Sequence, residues 1–271
     1  MYAFAYHKPK TLAEAGELLA AHDEARLLAG GMTLLPALKQ RLAAPSDLVD
    51  LGGVPDLVGI TVSATEIAVG AMTTHAAVTR NADVVTKIPA LATLAGGIGD
   101  PQVRHRGTIG GSICNADPAA DYPAGLVGLG ATIVTDRRAI AADDFFTGMF
   151  ETALEPGEIV RQVRFPIPLA AGYAKFPNPA SRYAVVGVFV ARTAGGIRVA
   201  VTGAGPSVFR IPAMEAALAA DFAPASVAGL SAPENELNND PHATAAYRAH
   251  LVGVMAARAV TAAQSTAKEE S

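Results

Sequence analysis

Apolar and polar positions recur with several periods along this chain, and each period predicts a different element. Leu12, Ala15, Leu18 and Leu19 follow helical spacing behind Thr11, which forms a capping box with Glu14, so a first helix is expected to run to about Ala21. Ala25 to Ala29 is short and apolar enough for a buried strand. It runs through Gly30-Gly31-Met32-Thr33 into a helical stretch over Leu34 to Leu42, with Pro36 tolerated in the first turn. Leu48 to Leu51 reads as a further buried strand, broken by Gly52-Gly53 and Pro55, which makes residues 1–54 a β-α-β unit. From Leu57 the period shortens: Val58, Ile60 and Val62, then Ile67 to Ala71, have the pattern of paired short strands. Helices are expected near Thr74 to Arg80 and Lys87 to Ala95.

Residues 96–118 are so rich in Gly, Asp and Pro that backbone neither helical nor long-stranded is expected there, a loop of the length that usually carries function. Past Pro166-Ile167-Pro168, Val185 to Ala191 and Gly196 to Val201 predict a small antiparallel sheet, backed by a helix around Thr244 to Ala263. On that helix Tyr247, Leu251, Met255 and Ala259 form a core stripe with Arg248 and Arg258 off it. The tail from Gln264 to Ser271 is expected to fray. The fold class is therefore α+β, divided as 1–54, 55–168 and 169–271.

Composition narrows the function. With 51% hydrophobic and 17% charged residues the chain is globular, and 21 basic against 25 acidic residues, a net charge of -4, argue against a nucleic-acid surface. The Arg104-His105-Arg106 knot reads as a polar loop. No apolar stretch reaches the roughly 18 residues of a membrane span, and MYAFAYHKPK has no apolar signal core, so a cytoplasmic location is expected. Cys114 is the single cysteine, which excludes an internal disulfide, a Cys-rich zinc site and an iron–sulfur cluster built by this chain alone. It reads as a small buried filler. The six histidines are scattered, without metal-ligand spacing, and no metal site is expected.

Two turns combine a glycine pair with a hydroxyl: Gly30-Gly31-Met32-Thr33 and Gly110-Gly111-Ser112. Glycine lets backbone approach a bulky anion closely, successive amides can then converge on phosphate oxygens, and a hydroxyl adds a donor. Together they suit a pyrophosphate gripped from two sides. The usual dinucleotide signatures are absent: Gly203-Ala204-Gly205 has Val208 where a third glycine belongs, and no lysine follows a glycine as a P-loop requires. No complete acid–base site for an organic substrate is visible; Asp117 and Asp121, with Pro118 between them, read as a loop that grips hydroxyls, and His75 as a residue that could reach a phosphate.

The runs LLAGGMTLLPALKQRLAAPSDLVDL, IAVGAMTTHAAV, GDPQVRHRGTIGGSICNADPAADYPA and KFPNPASRYAVVGVFVA, with the closing AYRAHLVGVMAARAV, resemble the FAD-binding medium subunits of molybdenum hydroxylases, closest in pattern to the carbon monoxide dehydrogenase flavoproteins. The resemblance implies a two-subdomain FAD-binding domain of the PCMH or vanillyl-alcohol-oxidase type, followed by a C-terminal antiparallel sheet with helices. It implies FAD held by Ala29, Gly30, Gly31, Met32, Thr33 and Leu34 in the first turn and by Thr108, Gly110, Gly111, Ser112 and Asn115 in the second. Thr73, Ile98, Gly99, Asp117 and Asp121 would line the flavin and its ribityl or adenosine parts, and Lys175 and Tyr183 would lie near the isoalloxazine ring. No residue is implied to be catalytic. The implied role is an oxidoreductase subunit that relays electrons from [2Fe–2S] clusters on a small partner to an external acceptor. Substrate is oxidised on a large molybdopterin-binding partner, and the whole is expected to form a dimer of heterotrimers. The alternative is a self-sufficient flavin oxidoreductase on the same FAD domain, and a flavin-free interaction module is a third.

Overall fold

The computed structural model describes residues 1–268. Thr11 accepts the Glu14 amide at 3.2 Å and starts helix Leu12–Ala21, as its capping sequence predicts, although the Glu14 carboxylate accepts the Lys10 amide rather than that of Thr11. That helix links two parallel strands of a three-stranded sheet ordered Ala5–His7, Asp47–Asp50, Arg26–Leu28. The first of these carries no signal in the sequence, because three largely exposed residues at a sheet edge leave no period to read. Helix Leu34–Lys39 returns the chain from the Gly30-Gly31 turn to the central strand, ending short of Leu42.

The second sheet is antiparallel, in the order Ile60–Val62, Glu66–Gly70, Val160–Pro166, Thr132–Thr135, Ala139–Ala141. Against it pack Ile109–Asn115 and the wholly buried Tyr122–Leu129, which share a core with His75–Arg80, Pro89–Gly96, Phe145, Val163 and Phe165. A loop over residues 96–118 does not form. Asp100 caps Pro101–Arg106 by accepting the Val103 amide at 2.8 Å, and Thr108 caps Ile109–Asn115 by accepting the Gly111 amide at 3.1 Å, so two short helices fill most of that stretch. The Arg104-His105-Arg106 knot is accordingly the last turn of a helix, where cations face the negative end of the dipole.

The third sheet runs Ala170–Pro177, Ala184–Thr193, Gly196–Thr202, Phe209–Arg210, antiparallel throughout. Helix Ala245–Lys268 lies across it, so close that a Cβ on Gly172 would stand 2.0 Å from the Ala259 carbonyl oxygen. Leu251, Met255 and Ala259 are buried as their spacing predicts, while Tyr247 at the start of the stripe is exposed. Arg248, expected off the core face, is 4% exposed: it donates to the carbonyls of Val185 and Gly203 at 2.6 and 2.8 Å and pairs with Asp240 at 2.6 Å. The helix also passes Gln264, whose amide donates to the Phe222 carbonyl at 2.6 Å, so the expected fraying does not hold as far as Lys268. Residues 269–271 of that expected tail lie outside the described residues.

Candidate functional site: a cleft between the first two sheets

A cavity of about 780 Å³ opens where the Gly30-Gly31 turn faces helix Ile109–Asn115, with the third sheet contributing Ser181, Arg182 and Tyr183 at one end. This is the volume of a site for a large organic ligand. The first turn enters it directly: Ala29, Gly30, Gly31, Met32, Thr33 and Leu34 all line the wall. Gly31 has φ +74°, a conformation that glycine takes without strain. The backbone amides of Gly30, Gly31, Met32 and Thr33 donate no hydrogen bond to another described residue. Successive free amides around a left-handed residue form a nest for an anion.

The second turn also lines the wall with Thr108, Gly110, Gly111, Ser112 and Asn115, but its amides are engaged elsewhere. Ile109 donates to the Thr73 carbonyl, Gly110 to the Ala71 carbonyl at 2.8 Å, and Gly111 and Ser112 to the Thr108 hydroxyl and carbonyl. The expectation of two amide grips is therefore corrected to one: the second turn presents side chains, with Ser112 and Asn115 making no side-chain hydrogen bond to another described residue. Its glycines serve packing. A Cβ on Gly110 would stand 2.7 Å from Ala71 Cβ and O, and one on Gly30 would stand 2.1 Å from the Arg106 carbonyl oxygen. Gly111 lies over Ala29, with 3.3 Å between its would-be Cβ and the Ala29 methyl, so the two turns touch.

Ile98 and Gly99 line the cavity, and Arg104 donates to both of their carbonyls at 3.0 and 3.1 Å. Asp117 and Asp121 line it too. Asp117 accepts the Ala119 amide at 2.9 Å, and burial raises its carboxyl pKa above the ordinary carboxylate value. Burial also raises Asp121, against the opposing pull of the Lys175 ammonium at 2.8 Å and the Tyr173 hydroxyl at 2.5 Å. Lys175 and Thr73 are not among the residues lining the cavity. Lys175 is almost buried and also donates to the carbonyls of Gly97 and Arg182, and Thr73 exchanges hydrogen bonds with the backbone of Gly59 at 3.0 Å. Neither is a free group facing a ligand. Tyr183 is 40% exposed at the cavity rim, its phenol pKa raised by burial and by Asp117, with the Thr33 hydroxyl opposing the shift.

His75 reaches the wall but is buried, and desolvation, with Arg104 adding repulsion, lowers its pKa to about 4. It is a neutral imidazole at pH 7 and brings no cation to a phosphate. Cys114 is not a core filler: it is exposed and opens onto the cavity. Phe150, which no motif marks, lines the cavity at φ +57°, its amide donating to the carbonyl of Ala116, itself at φ +46°. Two adjoining non-glycine residues in that region mark a conformation imposed by the surroundings, and no local signal announces it.

Residues 2–168 match the family described as the FAD-binding domain in molybdopterin dehydrogenase. The chain belongs to that family. It is an FAD-binding flavoprotein of the molybdenum hydroxylase type of oxidoreductases, and the resemblance of its sequence motifs is borne out. The carbon monoxide dehydrogenase medium chain of Afipia carboxidovorans is 38% identical over 287 aligned residues, spanning 98% of each chain. The nicotine 6-hydroxylase medium subunit of Paenarthrobacter nicotinovorans is 33% identical, over 96% of this chain and 97% of that one. Among solved structures, carbon monoxide dehydrogenase from Hydrogenophaga pseudoflava superposes with a TM-score of 0.88 at 34% identity over 98% of both chains. The flavoprotein thus shares its whole architecture with medium subunits, the C-terminal sheet included. None of its described helices is long and apolar enough to cross a membrane.

Proposed function

We propose that this chain is the electron-transfer subunit of a cytoplasmic heterotrimeric molybdenum hydroxylase, divided as residues 1–54, 55–168 and 169–271, with FAD in the cleft between the first two units. The observation that carries the reading is the free amide nest at Gly30 to Thr33 facing the unbonded side chains of Ser112 and Asn115 across one cavity. The residues present fit the cofactor: a dianionic pyrophosphate matches the nest, with Ser112 and the Thr108 hydroxyl as further donors. Asp117 accepts ribityl or ribose hydroxyls. Tyr183 would lie near the ring at the open end of the cavity, and Asp121, held by Lys175 and Tyr173, would stand in the wall beside it. Bound FAD would supply the redox chemistry of a relay between [2Fe–2S] clusters on a small partner subunit and an external acceptor. Substrate is oxidised on a large molybdopterin-binding partner, and the complex is a dimer of heterotrimers. That division of labour is consistent with a cavity whose imidazole, His75, is neutral at pH 7.

Ser112→Asp tests the site. A carboxylate beside the pyrophosphate repels it, while an acidic residue near the start of helix Ile109–Asn115 leaves the fold intact. The expected outcome is a native circular dichroism spectrum with FAD affinity down at least about tenfold, or about 1.4 kcal/mol. Stoichiometric flavin absorption in the purified variant would remove the proposed grip.

A further inference from the structure

Three side chains of metal-ligand type meet on the first sheet, away from the cleft. His7 ends strand Ala5–His7, His22 follows the last turn of helix Leu12–Ala21, and Asp47 opens strand Asp47–Asp50. His7 Nε2 is 2.6 Å from Asp47 Oδ1, and His22 Nδ1 is 3.5 Å from Asp47 Oδ2. One ligand atom from each residue lies within 4.8 Å of the other two. The two imidazole rings stack with centroids 5.8 Å apart and planes 25° from parallel. Asp47 is 5% exposed, and its carboxylate takes hydrogen bonds from Ser46 and His7 with the His22 ring beside it. None of the three lines the flavin cavity.

We propose that His7, His22 and Asp47 bind a divalent transition-metal cation of the zinc class. Two imidazole nitrogens and one carboxylate oxygen are a donor set for zinc rather than for magnesium or calcium, which take oxygen ligands. At metal–ligand lengths of about 2.0–2.2 Å, tetrahedral ligand atoms stand about 3.3–3.6 Å apart. The observed spacings, from 2.6 Å up to at most 4.8 Å, bracket that range, so small side-chain rotations close the site. The half-exposed His7 and His22 leave an entry path and room for water as the fourth ligand.

The cation would clasp the first sheet. Strand Ala5–His7 is an edge strand of three residues paired only to Asp47–Asp50, and the ligands join its end to that partner and to the helix between them. A cation that binds the folded form alone raises its stability by mass action.

Calorimetric titration of Zn²⁺ into the FAD-loaded full-length chain is expected to show one saturable equivalent that also raises the melting temperature. His22→Ala removes a half-exposed side chain beyond a helix end, so the fold and the flavin spectrum are retained. Its affinity for that equivalent should fall at least about tenfold, since even outer-shell partners in metal sites are worth as much. Asp47→Asn should lose the equivalent in the same way. Absence of a saturable equivalent in the parent, or isotherms in both variants that match the parent, would overturn the proposal.

Discussion

Single residues in the cleft do work that their type alone does not reveal. The glycine pairs are legible in the sequence as places of close approach, but what approaches Gly30 and Gly110 is the backbone of Arg106 and Ala71. The free amides of the first turn follow from local geometry and could be foreseen. The engaged amides of the second could not, because their acceptors Ala71 and Thr73 come from a distant segment. His75 shows the same limit: its place at a helix start is local, its burial is tertiary. Unfolded histidine takes up its proton near pH 6.5, whereas His75 in the fold resists until about pH 4. Between those values the unfolded state binds more protons, so stability falls as pH falls through that window. Urea unfolding should show the parent losing about 3 kcal/mol more between pH 7 and pH 4 than His75→Gln does. Equal losses in the two proteins would mean that the imidazole is solvated.

At the scale of elements, local patterning served the regular pieces and failed where composition and capping disagree. Residues 96–118 carry enough glycine and proline to suggest a loop, yet Asp100 and Thr108 are strong caps, and Pro101 in the first turn of its helix breaks no bond. The caps decide. On the terminal helix the apolar stripe locates Leu251, Met255 and Ala259, while Arg248 is buried by partners on strand ends far away in sequence. Arg248→Ala would leave two carbonyls without their guanidinium donor, while Asp240 keeps the amides of His242 and Ala243. That should destabilise the protein by about 2–4 kcal/mol with flavin content per folded molecule unchanged. Thermal unfolding checks the first part and the absorbance ratio the second; a loss under about 1 kcal/mol would mean that water replaces the guanidinium.

For the whole molecule, the α+β class and the FAD assignment were readable because motif and periodicity agree over the full length. The cluster of His7, His22 and Asp47 was not, since parallel pairing brings its members together and no spacing records that. The first sheet rests on a small core, Ala15, Ala25, Val49, Leu51, Val54 and Leu57 completed by Ile159 from the second sheet's side. In flavin-free protein, the amides of Arg26–Leu28 and Asp47–Asp50 should exchange with deuterium faster than those in the centre of Ala184–Thr193, and added FAD should slow the former most. Unaltered exchange in the first sheet on adding FAD would sink the idea that the cofactor bridges the two units. The contact of Gly30 with Arg106 and of Gly110 with Ala71 has a consequence for redesign. Gly30 sits on the Arg106 carbonyl and Gly110 on the Ala71 methyl and carbonyl, so each turn is seated by close packing against the chain behind it, which trimming side chains elsewhere in the cavity leaves in place. Fitting the protein to a bulkier or smaller nucleotide would have to proceed from the unengaged side chains of Ser112 and Asn115 and from the Tyr183 rim, leaving the two glycine turns as a fixed jaw.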